Sequence, residues 1–207
     1  MVSLTARGPG LLLDRDGVIN EECHYLHRPE DAILVPGAAQ AIAMVNRLAL
    51  PVAVVSNQAG IGRGHYGEPE YQAVTRAIAA MLAEHSAHID AWYFCPHLPD
   101  AGCPCRKPRP GMLLAAAGDL GLELGRSVMV GDNQSDLEAG RAVTARTVLV
   151  RTGYGQAVEA ALAAQGRELA DHITDSLATA IPFILAALAP QGGQQDRPRQ
   201  ARDQARR

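Results

Sequence analysis

Two kinds of apolar pattern alternate along the chain. Short runs that are apolar on consecutive positions occur at Leu11–Leu13, Pro51–Val55, Asp90–Phe94, Ser127–Val130 and Thr147–Val150. Runs of that length, greasy on both faces, are what strands of a sheet covered on both sides require. Between them lie stretches in which apolar side chains recur every three or four residues, the spacing of a helix with one buried face. Pro36-Gly37 opens the first, through Leu48, with Ala38, Ala41, Ile42, Val45 and Leu48 on one stripe. Glu68 to about Ser86 is the longest, and its face carries Tyr71, Val74, Ile78, Met81 and Leu82. Pro110 suits a first helical turn, and the helix it opens runs through Leu120 until Gly121 stops it. Gln134–Ala142, Gln156–Gly166 and Leu177–Leu188 complete the predicted helices, with His172-Ile173 a short edge strand before the last. Strands alternating with helices predict a doubly wound α/β fold with a parallel sheet, the Leu11–Leu13 strand central.

Asn20 to Pro36 has no period and reads as a loop. Gly60-Ile61-Gly62-Arg63-Gly64 lacks the spacing of a dinucleotide fingerprint and the Lys-Ser/Thr of a Walker loop, so it reads as a flexible loop. Beyond Pro190 almost nothing is apolar, so a domain over residues 1–189 and a disordered tail over 190–207 are expected.

Composition narrows the class. The chain has 207 residues, 19 basic and 22 acidic, for a net charge of −3. Five arginines and two aspartates fall in the tail, leaving the body at 14 basic and 20 acidic, with no nucleic-acid footprint. Ala178–Ala189, the longest greasy segment, is too short to span a bilayer and contains Pro182. No membrane association is therefore expected. The N-terminus lacks a long apolar core and a small-residue cleavage site, so the expectation is a cytoplasmic protein.

The candidate chemistry begins where the first strand ends. Leu11-Leu12-Leu13 runs into Asp14-Arg15-Asp16-Gly17, two carboxylates spaced i, i+2 behind a buried strand. Acids in that position are costly unless a cation or a reaction uses them. Two so close push their pKa values apart, leaving one ionised while the other carries a proton. A calcium loop is excluded because Val18 stands where an oxygen ligand belongs and no helix leads in. Cys95, His97, Cys103 and Cys105 supply three thiolates and an imidazole within eleven residues, a complete tetrahedral set for zinc. With no open position such a zinc is structural, and it fixes Arg106 and Lys107, which follow the last ligand.

Further along come Ser56-Asn57-Gln58, Arg106-Lys107-Pro108 and Gly131-Asp132-Asn133-Gln134-Ser135-Asp136, the first and last directly after apolar strands. With these four ordered motifs the chain resembles the haloacid dehalogenase superfamily of phosphohydrolases, from about residue 10 to about residue 185. Within it the chain is most similar to the branch containing D-glycero-D-manno-heptose 1,7-bisphosphate 7-phosphatases and histidinol-phosphatases. That resemblance implies a Rossmann-like fold with no large cap domain, since the Asn20–Pro36 loop is too short to build one. It implies Asp14 as nucleophile, forming an aspartyl-phosphate, and Asp16 as general acid and then base. Ser56 and Lys107 would hold the transferred phosphate. Arg106 would take a second phosphate or a sugar oxygen, and Asn57, Gln58 and the stretch Glu22, Cys23, His24, Tyr25 would face the substrate. Mg²⁺ would be held by Asp14, the backbone carbonyl of Asp16 and Asp132, with Asn133 contributing through backbone or water. Asp136 would either orient that shell or begin the following helix.

The expected partner is thus a small phosphorylated sugar, with heptose bisphosphate the favoured substrate, hydrolysed at carbon 7 by a monomeric enzyme. Its product would feed nucleotide-activated heptose for lipopolysaccharide or another surface glycan. Histidinol phosphate is the rival substrate, and a non-catalytic zinc-stabilised phosphosugar-binding protein is the rival of another class.

Overall fold

The structure, a computed structural model, describes residues 8–190. The basic tail expected beyond Pro190 lies outside the described residues, apart from Pro190 itself.

Six strands form one parallel sheet: β1 (Leu11–Leu13), β2 (Val52–Asn57), β3 (Ala91–Cys95), β4 (Val128–Gly131), β5 (Arg146–Val150) and β6 (His172–Thr174). Their order across the sheet is β3-β2-β1-β4-β5-β6, so β1 has a parallel neighbour on each side and the order reverses at β1. Crevices at such a reversal, outside the carboxyl ends of the strands, are where open α/β sheets bind ligands.

Alternation along the strands divides the core. Leu11, Leu13, Val52, Val54, Val128 and Val130 face helices α1 (Ala38–Asn46), α3 (Glu68–Ala83) and α7 (Leu177–Leu188). Leu12, Ala53, Val55 and Met129 face the other way, onto α4 (Gly111–Leu120) and α5 (Gln134–Ala142). Leu149 packs on that side with Leu137 of α5 and Leu162 of α6 (Gly155–Ala164). The three leucines of β1 are all fully buried, and each apolar methylene removed from water there contributes about 0.8 kcal/mol. Pro182 sits inside α7 on an exposed position, where its ring meets solvent and not the sheet. No helix among the described residues is long and apolar enough to cross a membrane.

Three elements differ from expectation. β2 runs two residues further, so Ser56 and Asn57 are strand residues paired with Phe94 and Cys95. The segment read as a flexible glycine loop holds a single helical turn, α2 (Ala59–Gly62). Its glycines serve close packing: a Cβ on Gly60 would lie 2.2 Å from the Tyr66 ring, and one on Gly62 would lie 2.7 Å from the Pro96 carbonyl. Finally, the Asn20–Pro36 loop carries a short 3₁₀ turn at Pro29–Asp31 and is tied down by an antiparallel bridge from Asn20 to Leu34. Asn20–Pro36 builds no further domain, as expected.

Candidate active site

Asp14 follows β1 directly, its N–H bonded to the Val130 carbonyl at 2.9 Å. Asp132 follows β4, and the carboxylates of Asp14, Asp132 and Asp136 bring their oxygens within 4.8 Å of one another. One cation of the chain faces two of them: Lys107 Nζ lies 3.0 Å from Asp14 Oδ1 and 2.6 Å from Asp136 Oδ1. Three carboxylates against one buried ammonium leave an excess of negative charge. Burial pushes the Asp14 carboxyl up to about 7, with Lys107 opposing and Asp136 and Asp16 adding to the rise. Asp132 is pushed up to about 8, again by burial first and then by Asp14 and Asp136. Burial alone would lower the Lys107 ammonium, but Asp136 and Asp14 overcome it and hold it above its ordinary value.

Backbone is brought unusually near this cluster. Gly17 has φ of 76°, and a Cβ there would sit 2.2 Å from Asp132 Oδ2; a Cβ on Gly153 would sit 2.0 Å from the same oxygen. Only glycine allows the chain to fold over Asp132 in this way. Asp136 is fully buried and, beyond facing Lys107, accepts the Asn133 N–H on Oδ2 at 3.0 Å, closing the capping box of α5. The Asn133 side chain is engaged in the same cap, its Oδ1 accepting the Ser135 N–H at 3.2 Å. Asp136 therefore caps the start of α5, one of the two roles the sequence left open, and pairs with Lys107.

Asp16 turns the other way and is surrounded by donors. Arg15 reaches Oδ1 through Nε at 3.1 Å and Oδ2 through Nη2 at 2.9 Å, a forked ion pair in which Arg15 is 1% exposed. Asn20 Nδ2 donates to Oδ1 and Gln58 Nε2 to Oδ2, each at 2.9 Å. Gln58 Nε2 also donates to Ser56 Oγ at 2.8 Å, which links the hydroxyl at the end of β2 to the second carboxylate. The Arg15 guanidinium lies 5.3 Å over the Tyr71 ring, so its buried face is also accommodated.

Lys107 is placed from both sides. Asn57 grips its backbone, donating from Nδ2 to the Lys107 carbonyl at 3.1 Å and accepting the Lys107 N–H at 3.0 Å. Asn57 therefore fixes the loop that carries Lys107 as well as lining the cleft. Just upstream, the ligand atoms of Cys95, His97, Cys103 and Cys105 lie within 4.8 Å of one another. Cys95 Sγ is 3.2 Å from Cys105 Sγ and 3.6 Å from Cys103 Sγ, and His97 Nδ1 is 3.3 Å from Cys105 Sγ. A tetrahedron with metal–sulfur bonds of about 2.3 Å has sulfur–sulfur edges of about 3.8 Å, close to this spacing, whereas a disulfide closes to about 2 Å. All four cysteines are free thiols.

Above the carboxylates opens a cleft of about 340 Å³ whose floor is Asp14, Asp16, Ser56 and Lys107. Glu22, His24, Tyr25 and Arg106 stand on its rim. Cys23 is the exception among the expected substrate-facing residues: it is exposed and does not line the cleft. The cause is local, since His24 takes φ of 63° and its N–H is bonded to the Glu22 carboxylate. That turn puts the residues on either side of Cys23 toward the cleft.

Three contributors were not anticipated from sequence. Arg15 and Tyr66 are one and two contacts behind Asp16. Tyr154 closes the far wall: its N–H donates to Asp132 Oδ2 at 2.8 Å and its hydroxyl meets His24 Nδ1 at 2.8 Å. The signal for Tyr154 was available, because Arg151–Gly155 is the exit of the fifth predicted strand, the same edge on which every other motif lies.

The donor set fits a divalent oxygen-loving cation, since the clustered carboxylates carry more negative charge than Lys107 balances. Residues 104–180 match the family model for HAD-hydrolase-like proteins. The chain is 40% identical over 194 residues to D-glycero-D-manno-heptose-1,7-bisphosphate 7-phosphatase of Thermosynechococcus vestitus, a match covering 88% of this chain and 98% of that one. The chain belongs to the HAD-like phosphatases. Another member of the family, D-glycero-beta-D-manno-heptose-1,7-bisphosphate 7-phosphatase of Pseudomonas putida, is 44% identical over 147 residues, 70% of this chain and 84% of its own. Among solved HAD-like structures, D,D-heptose 1,7-bisphosphate phosphatase from B. bronchiseptica, complexed with magnesium and phosphate, superposes with a TM-score of 0.79. It shares 34% identity, covering 86% of this chain and 98% of that chain.

Proposed function

We propose that this phosphatase removes the phosphate at carbon 7 of a heptose 1,7-bisphosphate, with Asp14 as nucleophile. The observation that carries the reading is Lys107 bridging Asp14 and Asp136 beside Asp132 on the cleft floor. Asp14, Asp132 and the Asp16 carbonyl would hold Mg²⁺, which when bound offsets the charge of the phosphate oxygens. Lys107 supplies a fixed positive charge to the same phosphate, and Ser56 adds a hydroxyl donor. Asp14 attacks phosphorus, and the bond from phosphorus to the leaving sugar oxygen breaks as the aspartyl-phosphate forms. Asp16 gives its proton to that oxygen and takes one from the water that next attacks phosphorus, restoring both acids.

Arg106 on the rim is suited to the second phosphate, its fork matching two oxygens at once. The cysteine and histidine cluster would hold a structural zinc that keeps Arg106 and Lys107 aimed at the cleft. The substrate itself is supported by the relatives, which bear the heptose bisphosphatase name over nearly their full length.

Phosphate release measured side by side on the two anomers of heptose 1,7-bisphosphate and on histidinol phosphate tests the reading. The expected result is a kcat/KM for one heptose anomer at least about tenfold above that for histidinol phosphate, the worth of one added charged contact. A preference for histidinol phosphate would overturn the substrate and leave the phosphatase chemistry standing.

A further inference from the structure

We infer that Tyr66 is a positioning residue for the acid–base carboxylate, because its hydroxyl holds in place the Gln58 amide that bridges Asp16 and Ser56. The inference rests on the proposed role of Asp16. A glutamine amide is nearly symmetric in shape, so its orientation is set by the groups around it. Gln58 Nε2 donates to Asp16 Oδ2 at 2.9 Å and to Ser56 Oγ at 2.8 Å. At the other end, Oε1 accepts the Tyr66 hydroxyl at 2.6 Å and Arg15 Nη2 at 3.3 Å. Turned over, the amide would set its carbonyl against the Asp16 carboxylate and its N–H groups against a guanidinium. Asp16 and Arg15 thus set the orientation, and the Tyr66 hydroxyl, the shortest of the four contacts, holds the amide against them.

Tyr66 is itself held. Its ring stacks on His27 at 5.9 Å with 9° between planes, and it fills the space in which a Cβ on Gly60 would fall. Burial pushes the phenol up to about 12, so it carries its proton through the neutral range. Residues Gln58 to Tyr66 thus fold back on themselves, and α2 with its two small glycines is the turn that makes the contact. This gives the glycine-rich segment a purpose that its sequence alone did not show.

The experiment is a double-mutant cycle on kcat and KM with a phosphomonoester substrate, using wild type, Tyr66→Phe, Gln58→Ala and the double variant. Tyr66→Phe keeps the ring and removes only the hydroxyl. The expected result is a kcat lower by about tenfold with KM within about twofold, as for a contact that matters in the transition state. In the Gln58→Ala background the same change should cost nothing further, because residues acting as one unit are not additive. An unchanged kcat in Tyr66→Phe, or losses that multiply, would overturn the inference while leaving the phosphatase reading intact. A wild-type chain that releases no phosphate would overturn both.

Discussion

Arg15 shows how much a residue between two acids can contribute without facing the substrate. It is 1% exposed, forks onto Asp16 and lies over Tyr71, so its charge is compensated from one side only. Removing one partner of a buried ion pair strands the other, which costs about 3–5 kcal/mol. Asn20 and Gln58 still donate to Asp16, which places the loss near the lower end. Arg15→Met is therefore expected to lower unfolding free energy by about 3 kcal/mol in urea titration. A loss under about 1 kcal/mol, the range of an exposed pair, would mean Arg15 is not the anchor described. At this scale the acids were legible, since Asp14, Asp16 and Asp132 stand at strand ends. The residues behind them were not: a central Arg in Asp-Arg-Asp reads as solvated, and a Tyr ten residues beyond Ser56 gives no sign that it returns to the site.

Among elements, the strands read well because runs such as Leu11–Leu13 and Val52–Val55 are apolar on both faces and helices cover both sides. α2 was misread because glycine signals either freedom or close approach, and only the Tyr66 ring and Pro96 carbonyl decide between them. Cys23 was misplaced because the direction of a loop side chain follows the turn at His24, which no periodicity encodes. The cysteine loop was legible from spacing as far as proximity goes: its four candidate ligand atoms lie within 4.8 Å of one another. Its proposed zinc clamp makes a clear prediction. Cys105→Ser should release zinc from the native protein and lower kcat/KM by about tenfold through misplacement of the adjacent Arg106 and Lys107. Elemental analysis finding no zinc in wild type, or a variant with full activity, would remove the clamp from the account.

For the molecule as a whole, the sheet reversal at β1 collects motifs from β1, β2 and β4 at one edge, and the loop after β3 delivers Lys107 to them. The concentration of charge has a consequence for stability. Burial and repulsion from neighbouring carboxylates push the Asp14 and Asp132 carboxyls up to about 7 and about 8 in the folded chain, against about 3.9 for an unfolded aspartate. The folded state then holds protons that the unfolded state has already released, so stability of metal-free protein falls as pH rises from about 4 to about 8. Metal-stripped protein is expected to melt lower at pH 8 than at pH 6, and added Mg²⁺ to raise the melting temperature more at pH 8. A larger Mg²⁺ effect at pH 6 would contradict the charge balance drawn for the cluster.

The central claim is that Asp14 accepts the phosphoryl group, and its most direct test is phosphate release by Asp14→Asn with saturating Mg²⁺ and heptose bisphosphate. The amide cannot act as the nucleophile but relieves the crowding with Asp132 and Asp136. The expected kcat is at least about a thousandfold below wild type, in a protein that melts no lower than wild type at pH 8. A variant that keeps a tenth or more of wild-type turnover would contradict it.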